Sequence, residues 1–276
     1  MKKLALIIAV LFIIPKMNSQ ELQLMSYNIK YANENDGENS WSKRKDWITS
    51  QVKYYSPDVL GLQEAVKSQL DLFSENMDGY EVLGVGREGA DKGEFSAILY
   101  NTGKLEKLES DTFWLSETPE KVSRGWDADF NRICTYALFQ EKESGKKFYV
   151  FNTHFDHVGD KARLESSKLI IKKIAELNKE EYAVFLMGDF NLEPETEGIE
   201  ILSSELERSR EKAELSFGPV GTFNGYKFHE QVTRRIDYIF SNDNVVIRKF
   251  AVITDSKDLK YPSDHFPVIV TASIEE

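Results

Sequence analysis

Ala183-Val184-Phe185-Leu186-Met187-Gly188-Asp189-Phe190-Asn191 is an apolar run that stops on an acid and an amide. Five consecutive apolar residues predict a strand buried on both faces, and Gly188-Asp189 marks its end. Upstream, the arm Lys147–Phe155 alternates. Phe148, Val150, Asn152 and His154 fall on one face, and Tyr149, Phe151, Thr153 and Phe155 on the other. Arg132–Gln140, with a turn at Ser144-Gly145, completes a predicted hairpin with that arm.

Further strands are predicted over Leu22–Ile29, Asp58–Glu64, Tyr80–Leu83, Phe95–Asn101, Lys104–Leu115, Arg235–Ser241, Val245–Ile253 and Phe266–Ala272. Helices are predicted over Trp41–Tyr55, closed by Pro57, over Ser68–Asn76, and over Asp160–Asn178, where Ile170, Ile174 and Leu177 share a face. Strands outnumber helices, and helices separate only some of them. That pattern predicts a mixed α/β protein with two packed sheets and helices outside, not an alternating barrel.

Residues 1–20 carry Lys2 and Lys3, an apolar run Leu4–Ile14 and a polar exit, the build of a secretory signal peptide. The run is too short to span a bilayer as a helix. Cleavage is expected near Ser19 or Gln20, with the product secreted or periplasmic and not inserted in a membrane. Residues 21–276 hold no linker, repeat or low-complexity block, so one catalytic domain is expected there. Cys134 is the only cysteine, which excludes an internal disulfide. The formal charge is −11, and loss of Lys2, Lys3 and Lys16 with the leader takes it to −14. A chain this acidic is a poor general binder of long polyanions, although a small phosphorylated substrate remains compatible.

Polar residues recur where apolar strands stop: Asn28, Glu64, Asn152, His154, Asp156, Asp189, Asn191, Asp237, Asp264 and His265. Singly, each reads as a turn former, a surface charge or a satisfied core residue. Jointly, they are groups that could converge on one rim of a rigid scaffold. Carboxylate and amide oxygens suit a hard cation such as Mg2+, Mn2+ or Ca2+, and no Cys/His spacing suggests structural zinc. A metal beside a phosphate, with a histidine held by a carboxylate, is a hydrolytic arrangement.

Ser26-Tyr27-Asn28-Ile29, Leu62-Gln63-Glu64, Asn152-Thr153-His154-Phe155, Gly188-Asp189-Phe190-Asn191, Arg235-Ile236-Asp237-Tyr238 and Ser263-Asp264-His265-Phe266-Pro267 occur in that order. Together they resemble the ordered motif set of the endonuclease/exonuclease/phosphatase superfamily, across residues 22–272. The resemblance implies a four-layer α/β/β/α sandwich of two packed mixed, mostly antiparallel sheets, with the active site at one end. It implies Glu64, Asn28 and Asp264 as the metal group. Asp189 and Asn191 would contact the attacking water, the phosphate or a second metal. Asp237 would orient His265 and raise its pKa, and His154 would donate to a phosphate oxygen. His265 and Asp189 are both open as the general base.

The continuation Leu192-Glu193-Pro194-Glu195-Thr196 is similar to the branch holding deadenylases of the carbon-catabolite-repressor type. Phe113-Trp114-Leu115-Ser116-Glu117-Thr118-Pro119 resembles secreted bacterial members. On the substrate side, Arg132 and Asn152 are candidates, as are Arg124 and Trp126 in the 118–132 loop and Phe223 in the 221–228 loop. Trp126 and Phe223 read equally well as loop anchors. Lys43, Arg44 and Lys45 read as a solvated helix face. The expected activity is hydrolysis of a phosphodiester or phosphomonoester in a small substrate by a monomeric, metal-dependent enzyme. A single-strand nuclease is the alternative, and a non-catalytic binder on the same fold a more distant one.

Overall fold

The structure, a computed structural model, describes residues 21–275, so the expected leader over residues 1–20 lies outside the described residues. Its first half runs β1 (Leu22–Asn28), α1 (Trp41–Tyr55), β2 (Val59–Ala65), α2 (Lys67–Asn76), β3 (Tyr80–Leu83), β4 (Phe95–Asn101), β5 (Leu105–Trp114) and β6 (Ile133–Glu141). There follow β7 (Lys147–His154), α3 (Asp160–Leu177), β8 (Ala183–Asp189), α4 (Glu197–Ser203), β9 (Glu207–Arg208), α5 (Ser209–Lys212), β10 (Leu215–Phe217), β11 (Asp237–Ser241), β12 (Val245–Val252) and β13 (Val268–Ile274).

The strands form a seven-stranded sheet, β10-β12-β13-β1-β2-β4-β3, and a six-stranded sheet, β5-β6-β7-β8-β11-β9. Alternation along β7 divides the core as expected: Phe148 and Val150 pack between the sheets with Val59, Ile98, Met187 and Val268. Tyr149 and Phe151 pack outward against Ile170 of α3 and Ile199 and Leu202 of α4. On the far side Ile48, Val52, Leu70 and Phe73 of α1 and α2 cover the seven-stranded sheet. The result is the expected α/β/β/α sandwich. Both sheets are mixed and mostly antiparallel, with β1–β2, β7–β8 and β10–β12 the parallel pairs.

That pairing places the chemistry. β1 and β2 run parallel, as do β7 and β8, while β13 runs against β1 and β11 against β8. The ends of β1, β2, β7 and β8 therefore share an edge with the starts of β11 and β13. His154 and Asp237 both register with Asp189 across the six-stranded sheet.

Several predicted bounds shift for local reasons. The last strand starts at Val268 and not Phe266, because Pro267 has no N–H to give the ladder. The Asp237 strand starts two residues late because the Ile236 N–H donates to Thr222 Oγ1 at 3.1 Å. The sequence reading has no counterpart for α4, β9, α5 and β10, each too short to establish a period. Arg44, expected on a solvated face, is buried; its Nη1 donates to Ile29 O at 2.9 Å and Pro262 O at 3.0 Å. It thereby ties the exit of β1 to the segment before His265.

Gly188 has φ +151°, and a Cβ there would lie 2.0 Å from Thr153 O of the neighbouring strand. Gly188→Ala is expected to lower stability by about 3 kcal/mol or more, read from the midpoint of urea unfolding.

Candidate active site

Glu64 reaches the shared edge through a backbone irregularity. The β2–β4 register shifts between Leu62 and Ala65, and Glu64 sits there at φ +61°. A bulge with a left-handed residue re-aims a side chain, here toward the cleft. Asn191, at φ +50°, closes a tight turn after β8 in which its N–H donates to Asp189 Oδ1 at 2.9 Å. Asn is among the residues that tolerate that conformation.

A cleft of about 520 Å³ opens over this edge, lined by Glu64, His154, Asp189, Asn191, Asp264 and His265 together with Arg132 and Phe223. At its base the His265 Nδ1–H donates to Asp237, 2.9 Å from Oδ2 and 3.1 Å from Oδ1. The other ring nitrogen, Nε2, lies 3.7 Å from Asp189 Oδ2. Burial alone would lower the His265 pKa, but the carboxylates of Asp237, Asp189 and Asp264 outweigh it and hold the pKa above the usual histidine value. Asp189 is also raised, by burial and then by Asp237. The expected direction for His265 holds.

His154 behaves differently. Burial, then Arg132 and His265, push its pKa well down, so it is a neutral imidazole. Asn191 Nδ2, fixed by donating to Phe155 O at 3.1 Å, lies 3.2 Å from His154 Nε2 and donates to it. His154 lines the cleft, where the sequence resemblance places a hydrogen-bond donor to phosphate, and its ring contacts the Asn191 amide. Arg132 is buried, with Nε donating to Asp156 Oδ1 at 3.1 Å and Nη2 to His157 Nδ1 at 3.1 Å.

Asn28 also takes a different part from the one expected. Its Oδ1 accepts from the Lys30 N–H at 3.0 Å, which turns Nδ2 toward the acids. Nδ2 donates to Asp189 Oδ2 at 2.9 Å and Glu64 Oε1 at 3.1 Å, holding the two carboxylates together instead of offering an oxygen to a cation. Asp264 has Lys30 Nζ at 3.5 Å.

Could these residues hold a cation? Asp189, Asp237 and His265 bring one ligand atom each within 4.8 Å of one another. Asp237, however, has both oxygens engaged by the His265 ring, which leaves Asp189, Glu64, Asp264 and Asn191 as oxygen donors facing the cleft, with Glu94 also lining it but paired with Arg87. Hard oxygen donors of net negative charge, with no sulfur, fit a divalent cation of the Mg2+ or Mn2+ kind.

Three substrate-side expectations are corrected. Asn152 is fully buried beneath the cleft, donating to Leu62 O at 3.0 Å and Ala97 O at 2.7 Å and accepting from Gln63 Nε2 at 2.7 Å. Its face of β7 points at the opposite sheet, not at solvent. Arg124 is exposed outside the cleft, its Nη1 donating to Asp129 O at 3.4 Å. Trp126 also lies off the cleft, on a loop pressed so close that a Cβ on Gly125 would lie 2.3 Å from Leu115 O. Phe223 does reach the site, edge-on to the His265 ring at 5.0 Å.

The sequence reading did not single out Lys30, Arg87, Glu94, Phe130 and Arg234, all of which line the cleft. Lys30 follows Asn28 by two residues and Phe130 precedes Arg132 by two, so proximity to a motif was their available signal. Arg87 and Glu94 sit in a glycine-rich connection that reads as a plain turn.

The family model described as Endonuclease/Exonuclease/phosphatase family matches residues 25–265. An endonuclease/exonuclease/phosphatase family protein from Bacteroides thetaiotaomicron is 37% identical, superposes with a TM-score of 0.90, and covers 94% of this chain and 99% of its own. A mannosyl-6-phosphatase from Bacteroides thetaiotaomicron is 38% identical with a TM-score of 0.88, covering 92% of this chain and 100% of its own. A probable RNA exonuclease of Saccharomyces cerevisiae is 28% identical over 64% of this chain and 39% of its own length.

Asn152→Ala is expected to cost about 2–4 kcal/mol, since two buried carbonyls lose their donor, while KM changes less than twofold to threefold. Unfolding curves and steady-state kinetics check both parts. Asp156 adds a pH signature. Burial would raise its pKa, but N–H donors from Gly159, Val158 and the Asp129–Phe130 peptide, with Arg132, hold it down at about 2. A depressed carboxylate stabilises the fold above its unfolded pKa, and that contribution is lost as pH falls through the folded value. The melting-temperature gap between the parent and Asp156→Asn should therefore be full at pH 5 and narrow toward pH 2.

Proposed function

The chain belongs to the endonuclease/exonuclease/phosphatase family, and from that premise we propose that it hydrolyses a phosphomonoester or phosphodiester of a small molecule with a bound Mg2+ or Mn2+. Members of the family are phosphoric ester hydrolases that depend on divalent metals, and the observation that carries the finer reading is the cleft itself. It is a pocket of about 520 Å³, lined by His265 and Asp189, with Asp237 behind the His265 ring and Arg132 in the wall. Its size suits one small ester. The −11 charge of the chain argues against a long polyanion, and the 38% identity to a mannosyl-6-phosphatase supports a monoester.

When bound, the divalent cation supplies charge neutralisation at the phosphate and acidifies water. The chain's own groups do the rest. Glu64 and Asp264 would hold the cation, with Asn28 keeping Glu64 and Asp189 in place. Arg132, fixed by Asp156 and His157, binds a non-bridging phosphate oxygen as a pre-set fork. Asp237 fixes the His265 ring with Nε2 toward the cleft, and the Asp189–His265 pair takes up the proton of the attacking water. Asn191 Oδ1, oriented by His154, positions that water. The residue 1–20 leader supports an exported protein acting outside the cytoplasm.

A nuclease reading has one observation of its own. Arg234 stacks on Phe223 with its guanidinium carbon 5.0 Å from the ring centroid, at the cleft mouth, and such a pair can carry a base.

Purified protein is expected to hydrolyse hexose phosphates and aryl phosphates with Mg2+ or Mn2+, and to lose activity in EDTA. Glu64→Ala and His265→Ala should each lower kcat/KM by about 100-fold or more. Cleavage confined to single-stranded RNA or DNA would replace the small-ester reading with the nuclease one. Unchanged activity in both variants would move the chemistry elsewhere.

A further inference from the structure

One wall of the cleft is built from two loops, residues 84–94 between β3 and β4 and residues 115–132 between β5 and β6, of which the phosphate chemistry uses only Arg132. The first closes on itself: the Arg87 N–H donates to Glu94 O at 2.9 Å and the Glu88 N–H to Lys92 O at 3.0 Å. The two are then fastened together. Trp114 Nε1 donates to Arg87 O at 2.8 Å, and Asn131 Nδ2 donates to Glu88 Oε2 at 2.9 Å. A wall braced in this way keeps its shape before a ligand arrives, which lowers the ordering cost of binding.

On this frame Phe130 stays 41% exposed while lining the cleft. Charged and polar groups surround it: the Arg87 guanidinium lies 4.6 Å from the ring centroid, and the His157 ring runs nearly parallel at 6.0 Å and 16°. Each guanidinium of the wall has its own carboxylate. Arg87 Nη1 donates to Glu94 Oε2 at 2.8 Å, and Arg132 Nε donates to Asp156 Oδ1 at 3.1 Å. The pairs offset each other's charge without using all their capacity. Arg87 Nη2 and Glu94 Oε1 have no hydrogen-bond partner among the described residues.

We propose that Phe130, Arg87 and Glu94 form a recognition subsite for a polyhydroxylated leaving group, a hexose in the first instance. This assignment rests on the phosphoesterase reading and names the substrate class of that same cleft. The exposed part of the Phe130 ring offers an apolar contact to the C–H groups of a sugar. An adjacent donor and acceptor match a hydroxyl, which both gives and takes a hydrogen bond. A second phosphate fits less well, because Glu94 offsets the charge of Arg87 and would repel an anion.

The test uses probes that cannot be hydrolysed: a hexose 6-phosphonate analogue and methylphosphonate, titrated by calorimetry into the full protein. The hexose probe should bind about tenfold tighter or more, and Phe130→Ala or Glu94→Gln should shrink the difference to less than about threefold. In the same variants the ratio of kcat/KM for hexose 6-phosphate to that for p-nitrophenyl phosphate should fall about tenfold. Phe130 is exposed, so its truncation should leave the melting curve in place. Equal binding of the two probes by the parent, or a difference that both variants keep, overturns the subsite. A stronger preference for a nucleoside 5′-phosphonate, lost in the same variants, overturns the hexose assignment. Tight, variant-sensitive hexose binding with no hydrolysis of any ester upholds the subsite and defeats the phosphoesterase reading instead.

Discussion

A buried amide that bridges the two sheets holds the backbone beneath the active edge in place. Asn152, on β7, gives its NH2 group to Leu62 O and Ala97 O of the other sheet and accepts from Gln63. Those carbonyls belong to the last regular β2–β4 pair before the irregularity in β2 that turns Glu64 toward the cleft. A buried carbonyl without a donor costs about 1–3 kcal/mol. The bulge that creates the acidic side of the site is thus tolerated because a side chain from the opposite layer satisfies the main chain around it. Gly61 completes the arrangement, since a Cβ there would lie 2.8 Å from the Asn152 oxygen.

Above that seam the site concentrates carboxylates that would repel one another in isolation. Asp189 and Asp237 are each about 98% or more removed from solvent, and they are stabilised by specific neighbours. Asp237 faces the His265 ring, Asp189 faces the same ring and the Asn28 amide, and Asp264 faces Lys30. The two remaining histidines of the cleft do other work: His154 is held neutral and orients Asn191, while His157 braces Arg132. Similar residue types are thereby separated into proton handling, orientation and anion binding by what each one touches.

Several residues act at a distance from the chemistry. Arg44 donates to the carbonyls of Ile29 and Pro262, joining the chain just after Asn28 to the chain just before Asp264. Ser263 Oγ adds a bond to Asn28 O at 2.7 Å. Segments more than two hundred positions apart in sequence are locked to one another within a single turn of the site.

The sequence by itself determined the sandwich and most of the cluster at its edge. Alternation along β7 and the apolar run of β8 dictate which faces are buried, and polar residues at strand boundaries mark where Glu64, Asp189, Asp237, Asp264 and His265 emerge. These signals are local, because strand period and strand termination are written in neighbouring residues. Tertiary structure alone decided the division of labour within the cluster. Whether Asn152 faces water or the other sheet, whether the Asn28 amide presents oxygen or nitrogen, and whether Phe130 or Trp126 reaches the cleft all depend on partners distant in the chain. Those partners become neighbours only when the two sheets close on each other. Hydrogen-bond direction is a property of that encounter and not of any stretch of sequence.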